Sequence, residues 1–395
     1  MKEFYQKLAA EPRKNIPVVE SPQGAYLAIA GKKVLNFCSN NYLGLANHPR
    51  VRRAAAAAIR RFGVGTGSVR FLSGTNQLHI ELESRLAEFK GAGGAIALTS
   101  GYMVNLAAIQ TFLGKEDIVV SDELNHASII DAIRLAQIKN KFIYKHKDVA
   151  DLEEKLKAAQ EVRKSPKEDG SEPHMLIVTD GVFSMDGDLA PLPDIVRLAK
   201  KYRALTMVDD AHGEGILGKG GRGIVDHFKL HGKIDIEVGT LSKAFGVVGG
   251  FITGKKELTD YLHAKGRQFL FSNGLSVPDT AALIEATKML EESDSLVKKL
   301  WKNTAYLKGQ LQKTGFDTGS SETPITPVMV GAEELAGKFS EELLKKGVFA
   351  TAIRFPMVPA GKARLRIMPS ATHSKKDLDF GIKMLTQVAR ELSIL

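Results

Sequence analysis

The sequence predicts an α/β fold: a large domain built on a mostly parallel sheet, followed by a smaller α+β domain. Three observations predict it. Between about residues 95 and 255, short apolar runs alternate with helical patterns, and continuous apolar strands crossed by helices belong in a sheet buried on both faces. After about residue 278 the pattern changes to long helical stretches around two short strand candidates. The length, 395 residues, exceeds what one small core accommodates.

Taken in chain order, residues 1–45 read as an N-terminal segment of helix plus short strands. "AAAAAIRRF" (54–62) reads as helix, because Ala has the highest helix propensity. "GVGTGS" (63–68) resembles a phosphate loop, but no Gly-Lys-Ser/Thr follows, so it reads as a turn near the mouth of a site. Strands are expected at 95–101, 117–123, 175–181, 204–212, 235–243 and 249–254, with helices at 104–113, 127–138, 149–160 and 192–202. "RKSPKEDGSEP" (163–173) reads as an exposed loop. Helical stretches at 278–314, 332–346 and 374–394 enclose strand candidates at 325–331 and 363–368. The expected division is an N-terminal segment (1–45), a large domain (46–277) and a small C-terminal domain (278–395).

Composition narrows the function. The chain is 44% hydrophobic and 25% charged, as ordinary globular proteins are. Its formal charge of +10 favours anionic partners such as phosphorylated cofactors or acyl carriers. No Lys/Arg tract is interleaved with aromatics, so nucleic acid is not expected. The single cysteine, Cys38, excludes an intrachain disulfide and four-cysteine metal sites, and it suits a reducing compartment. "AHGEG" (211–215) lacks the HExxH spacing, and no metal is expected. No secretory h-region and no run of transmembrane length is visible, so a cytoplasmic protein without a membrane partner is expected.

In open α/β sheets, ligands sit beyond the carboxyl ends of the strands. Five such ends here carry five kinds of polar group. Ser100 and Gly101 lead into a helix whose first N–H groups can hold a phosphate. "SDELNHAS" presents His126, "TDGVFSMDGD" presents Ser184, "VDDAH" presents Asp209 and His212, and "GTLSK" presents Thr240 and Lys243. Alone, each is an ordinary turn, cap or surface residue; together they match the needs of pyridoxal 5'-phosphate. That cofactor needs a neutral lysine, an anion pocket, a carboxylate against its ring nitrogen, a donor to its phenolic oxygen and a flat cover. Cys38 has no base paired with it in the sequence, and Glu214 reads as a solvated loop residue.

The motifs "NFCSNNYLGLANHP" (36–49), "SDELNHASIIDAIRL" (121–135), "VTDGVFSMDGDLAPLPDI" (178–195), "MVDDAHGEGILGKGGRG" (207–223), "TLSKAFG" (240–246) and "VPAGKARLR" (358–366) resemble the α-oxoamine synthases over nearly the whole chain. That family lies within the fold type I pyridoxal-phosphate enzymes, the aspartate aminotransferase-like fold. The resemblance implies a mostly parallel seven-stranded sheet in the large domain. It implies that Lys243 links covalently to the cofactor and then moves the proton at the substrate Cα. Asp209 would face the ring nitrogen, His212 and Ser184 the phenolic oxygen, and His126 the ring face. Ser100, Gly101, Tyr102 and Thr240 would hold the phosphate, completed by Ser272 and Asn273 from the second subunit of a homodimer with shared active sites. Asn40 and Arg366 would hold the amino-acid carboxylate. Arg13 is the only N-terminal arginine offered for a further carboxylate contact.

The implied reaction is a Claisen-type condensation of an amino acid with an acyl-CoA, releasing CoA. "MKEFYQKL", "NNYLGLANHP" and "SVRFLSGT" resemble glycine C-acetyltransferases, and glycine with acetyl-CoA is the expected pair. "TAIRFPMVPAGKARLR" (351–366) instead resembles 8-amino-7-oxononanoate synthases, which gives L-alanine with a pimeloyl thioester as the alternative.

Overall fold

The computed structural model describes residues 1–9 and 16–395; Arg13 lies outside them. At its centre is a seven-stranded sheet. From one edge the strands run Asn140–Tyr144, Ile118–Asp122, Met175–Asp180, Leu205–Asp209, Ile236–Thr240, Gly250–Gly254 and Gly94–Leu98. The first five pair in parallel, and Gly250–Gly254 pairs antiparallel with both of its neighbours. Every residue of Ile118–Asp122, Met175–Asp180 and Ile236–Thr240 is buried, which is why these runs are apolar throughout rather than alternating.

Two apolar layers cover the two faces of the sheet. Ile118, Val120, Ile177 and Val208 point to one, with Leu82, Leu152, Leu198 and Leu283. Val119, Leu176, Val178 and Val238 point to the other, with Val104, Ile109 and Ile129. The alternation along each strand sends successive side chains to opposite faces. Pairing brings Asp180 opposite Asp209 and Asp209 opposite Val238, so three neighbouring carboxyl ends finish level.

The C-terminal region builds its own antiparallel sheet from Thr326–Gly331, Ala363–Ile367 and Thr351–Ile353. The hairpin Tyr26–Ile29 and Lys32–Asn36 joins this region, because Val348–Phe349 pairs in parallel with Lys32–Asn36. Leu35 and Phe37 pack there with Leu307, Phe339 and Leu365.

Three expectations are revised. The stretch 278–314 is two helices, Val277–Glu292 and Ser295–Thr314, broken at Ser293 and Asp294. The first packs on Pro49–Phe62 and Gln77–Lys90, and the second on Lys375–Glu391. The edge strand Asn140–Tyr144 was not expected, because it alternates in burial and reads "NKFIY". Glu214 is not solvated: it is 1% exposed and bonded to Lys90 at 2.8 Å.

Candidate active site

A cavity of about 280 Å³ opens at the level carboxyl ends. It is lined by Ser100, Gly101, Tyr102, His126, Ser184, Asp209, His212, Thr240 and Lys243. Nine positions singled out in the sequence thus meet in one place.

Asp209 ends its strand and turns a carboxylate into the cavity. Its Oδ2 accepts from the Asn105 side-chain amide at 2.6 Å, and its Oδ1 accepts from the Ala211 N–H at 3.0 Å. The second Asn105 proton goes to Ser128 Oγ at 2.8 Å. Ser128 Oγ stands 2.7 Å from His126 Nδ1, which also accepts from the Ser128 N–H at 3.2 Å. With its oxygen accepting from Asn105, Ser128 donates to His126, which is therefore neutral at Nδ1. Burial lowers the His126 pKa; the Asp209 charge opposes this and Lys243 adds to it. A hydrogen-bonded line thus runs from the carboxylate to the histidine through two residues that sequence reasoning missed. Their signal was helical spacing: Asn105 sits one turn inside the helix Gly101–Phe112.

Ser100 caps that helix by accepting from the Met103 N–H at 3.1 Å. Gly101 is pressed against Thr240: a Cβ there would stand 2.9 Å from Thr240 Oγ1. The helix N-terminus, the Thr240 hydroxyl and the missing Cβ leave an anion cradle. Thr240 Oγ1 itself bonds Gly249 O at 3.1 Å.

Lys243 faces Asp209 and Asp180. Burial lowers its pKa to about 8, partly opposed by Asp209, so a sizeable neutral fraction exists near neutral pH. His212 is 7% exposed, and its Nδ1 lies 2.8 Å from the Tyr42 hydroxyl. Burial, Lys243 and Arg366 hold it well below the ordinary histidine range. Asp180 lines the cavity with an unpartnered Oδ1; burial and the Asp209 charge raise it well above the usual carboxylate range.

Arg366 arrives from the strand Ala363–Ile367. Its Nη1 donates to Asn40 Oδ1 at 3.0 Å and its Nε to the Ser184 carbonyl at 2.6 Å. Arg364 pairs with Asp186 on the same loop. Ser272 and Asn273 do not line this cavity; Asn273 bridges Val69 on the outer surface. Cys38 is held by Phe349 O and Thr351, and burial pushes its thiol up to about 11.

Behind the site, Lys90 lies within 3.7 Å of Asp210, 2.8 Å of Glu214 and 3.2 Å of Glu237. Three carboxylates surround one ammonium with almost no solvent, so at least one of them carries a proton. Gly223, at φ 98°, closes over this cluster; a Cβ would meet Asp210 Oδ2 at 1.9 Å.

The donor set fits pyridoxal phosphate: an anion cradle, an oriented carboxylate, a flat neutral imidazole and one amine of lowered pKa surround a space with an orphaned acid. The comparisons agree. The class I and II aminotransferase model matches residues 32–385. An 8-amino-7-oxononanoate synthase of Thermosipho melanesiensis is 58% identical over 380 residues, covering 96% of this chain and 94% of that protein. The 8-amino-7-oxononanoate synthase 1 of Bacillus subtilis is 49% identical, with 96% and 94% covered. The chain belongs to the class I and II aminotransferase family, as an α-oxoamine synthase.

Solved structures place this α-oxoamine synthase beside serine palmitoyltransferase. That of Sphingomonas wittichii superposes with a TM-score of 0.90 at 31% identity, covering 100% of this chain and 97% of that one. A high-resolution SPT structure with PLP has the same score at 32% identity, with 100% and 98% covered. The chain is a pyridoxal-phosphate-dependent acyltransferase.

The expected glycine and acetyl-CoA pair is overturned. Relatives 58%, 56%, 54% and 49% identical are all named 8-amino-7-oxononanoate synthase. The segments that suggested glycine misled because they lie away from the reacting groups. Phe71 and Leu72 of "SVRFLSGT" are each 73% exposed, whereas "TAIRFPMVPAGKARLR" carries Arg366 to the site.

Proposed function

We propose that this synthase condenses L-alanine with a pimeloyl thioester, losing carbon dioxide and the thiol, to give 8-amino-7-oxononanoate. The observation that carries the reading is the concordant naming of relatives that match nearly the whole chain. When bound, pyridoxal phosphate supplies the electron sink that makes the alanine Cα proton acidic.

The chain's own groups do the rest. Asn105 and the Ala211 N–H hold Asp209 ionised and aimed at the cofactor's ring nitrogen. His126, fixed by Ser128, covers the ring. Ser184 and His212 donate to the phenolic oxygen, and Ser100, Gly101, Tyr102 and Thr240 hold the phosphate. Arg366 and Asn40 clamp the alanine carboxylate. Lys243 takes the Cα proton as its neutral amine and later returns it.

In this reading residues 46–277 form the cofactor-binding unit, and residues 278–395 the small domain that brings Arg366. Two copies pair, and Ser272 and Asn273 complete the partner's phosphate site. Val64, Phe71, Leu72 and Phe271 support this pairing, being 62% to 73% exposed around the Val69–Asn273 bridge. The unpaired Cys38 supports a cytoplasmic setting.

A thiol-release panel tests the substrate assignment by crossing alanine, glycine and serine with pimeloyl-, succinyl- and acetyl-CoA. Alanine with pimeloyl-CoA is expected to show the highest kcat/KM. A higher value for any glycine pair overturns the reading.

A further inference from the structure

Tyr42 belongs to "NNYLG", is fully buried at 0% exposure, and had no role in the sequence reading. Its hydroxyl lies 2.8 Å from His212 Nδ1, and the two rings meet edge to face at 6.2 Å and 84°. On its other side the Arg366 guanidinium hydrogen-bonds the same oxygen. We propose that Tyr42 is a positioning residue that fixes the tautomer of His212 and ties it to the Arg366 end of the site.

The deduction rests on donor counting. Arginine has only donors, so the Tyr42 oxygen accepts from Arg366. The phenol has a single proton, and the acceptor within reach is His212 Nδ1. A neutral imidazole that accepts at Nδ1 carries its hydrogen at Nε2. Burial and the surrounding cations Lys243 and Arg366 keep the ring neutral. Among the described residues Nε2 has no protein partner, and His212 lines the cavity. The Nε2–H is therefore available to an acceptor in the cavity. Identifying that acceptor as the cofactor's phenolic oxygen rests on the proposed function; the tautomer does not. The line Arg366–Tyr42–His212 also places the carboxylate-binding end and the cofactor end of the site on one set of hydrogen bonds.

The experiment labels the histidines with nitrogen-15 and reads the imidazole shifts in cofactor-free protein, with His212→Asn assigning the signal. The wild type is expected to show a single Nε2–H tautomer of His212 between about pH 6 and 8. An Nδ1–H or mixed tautomer in the wild type overturns the proposal, whether or not any variant folds. Tyr42→Phe removes one oxygen and is expected to mix the two tautomers. It should also lower kcat about tenfold while leaving KM for the amino acid within about twofold. Unchanged His212 shifts in Tyr42→Phe overturn the proposal. Mixed tautomers with unchanged kcat and unchanged visible absorbance of the bound cofactor support the tautomer assignment and overturn the cofactor-facing role of Nε2.

Discussion

Asn105 donates to Asp209 Oδ2 at 2.6 Å and, with its other proton, to Ser128 at 2.8 Å. One amide therefore orients both the carboxylate beneath the cofactor and, through Ser128, the histidine above it. Asn105→Leu removes both bonds and leaves Asp209 short of a donor. Cofactor affinity is expected to fall about tenfold to a hundredfold, the range for a hydrogen bond to a charged group. An absorbance titration with pyridoxal phosphate measures it, and an unaltered dissociation constant contradicts the role.

Lys243→Ala is expected to lower turnover at least about 10³-fold, since both the covalent link and the Cα base are lost. The phosphate cradle and Asp209 remain, so the protein should still take up cofactor on gel filtration. Turnover within tenfold of wild type would refute the assignment.

The Lys243 amine is held down to about 8 chiefly by burial. A lysine reacts as the free amine, so capture of pyridoxal phosphate by cofactor-free protein should speed up as pH rises through about 8 and then level off. Stopped-flow absorbance between about pH 6.5 and 9.5 reads this. A rate independent of pH across that span rules it out.

His146 bridges two buried carboxylates, with Nδ1 3.1 Å from Asp122 and Nε2 3.0 Å from Asp188. Burial opposes its charge, but the bonds to both carboxylates override this and raise its pKa from 6.5 to about 9. Lys147 pairs with Asp188 at 3.0 Å, and Glu123 accepts from the His146 backbone. The native state thus holds this proton more tightly than the unfolded chain. The stabilisation is full below about pH 6.5 and is lost as pH climbs through about 9. His146→Gln should cost about 2 kcal/mol at pH 6 and little at pH 10. Urea unfolding at both values decides it; an equal cost at both pH values means the proton is not involved.

Lys90→Met leaves Asp210, Glu214 and Glu237 buried without their cation. A loss of about 3–5 kcal/mol is expected, as for other buried pairs broken on one side. Adding Glu214→Gln and Glu237→Gln should restore part of it. A thermal melt of Lys90→Met superimposable on wild type excludes this account.

The parts legible in sequence were those where burial is uniform. "MLIVTD" and "DIVVSD" are apolar because both faces of the sheet are covered, and polar groups appear only where each strand ends. The helix Leu192–Tyr202 was read to its exact bounds because Pro191 and Pro193 mark its start. Asn140–Tyr144 was illegible because an edge strand keeps Lys141 and Ile143 exposed. Glu214 was misread because nothing local shows that Lys90, 124 positions away, is buried against it. Likewise Tyr42 sits 170 positions from His212, and no spacing rule connects them. The glycine assignment failed for a related reason: motifs shared across a family report its common chemistry, while acyl choice is set elsewhere.

Asn40 and Arg366 touch across 326 positions of chain. During synthesis the sheet, its lysine and its anion cradle can form while the last strand is still unmade, but the clamp for the amino-acid carboxylate cannot. A nascent or C-terminally clipped protein would bind its vitamin and stay idle, so the cell is spared a half-built catalyst that could scramble free amino acids before the chain is released.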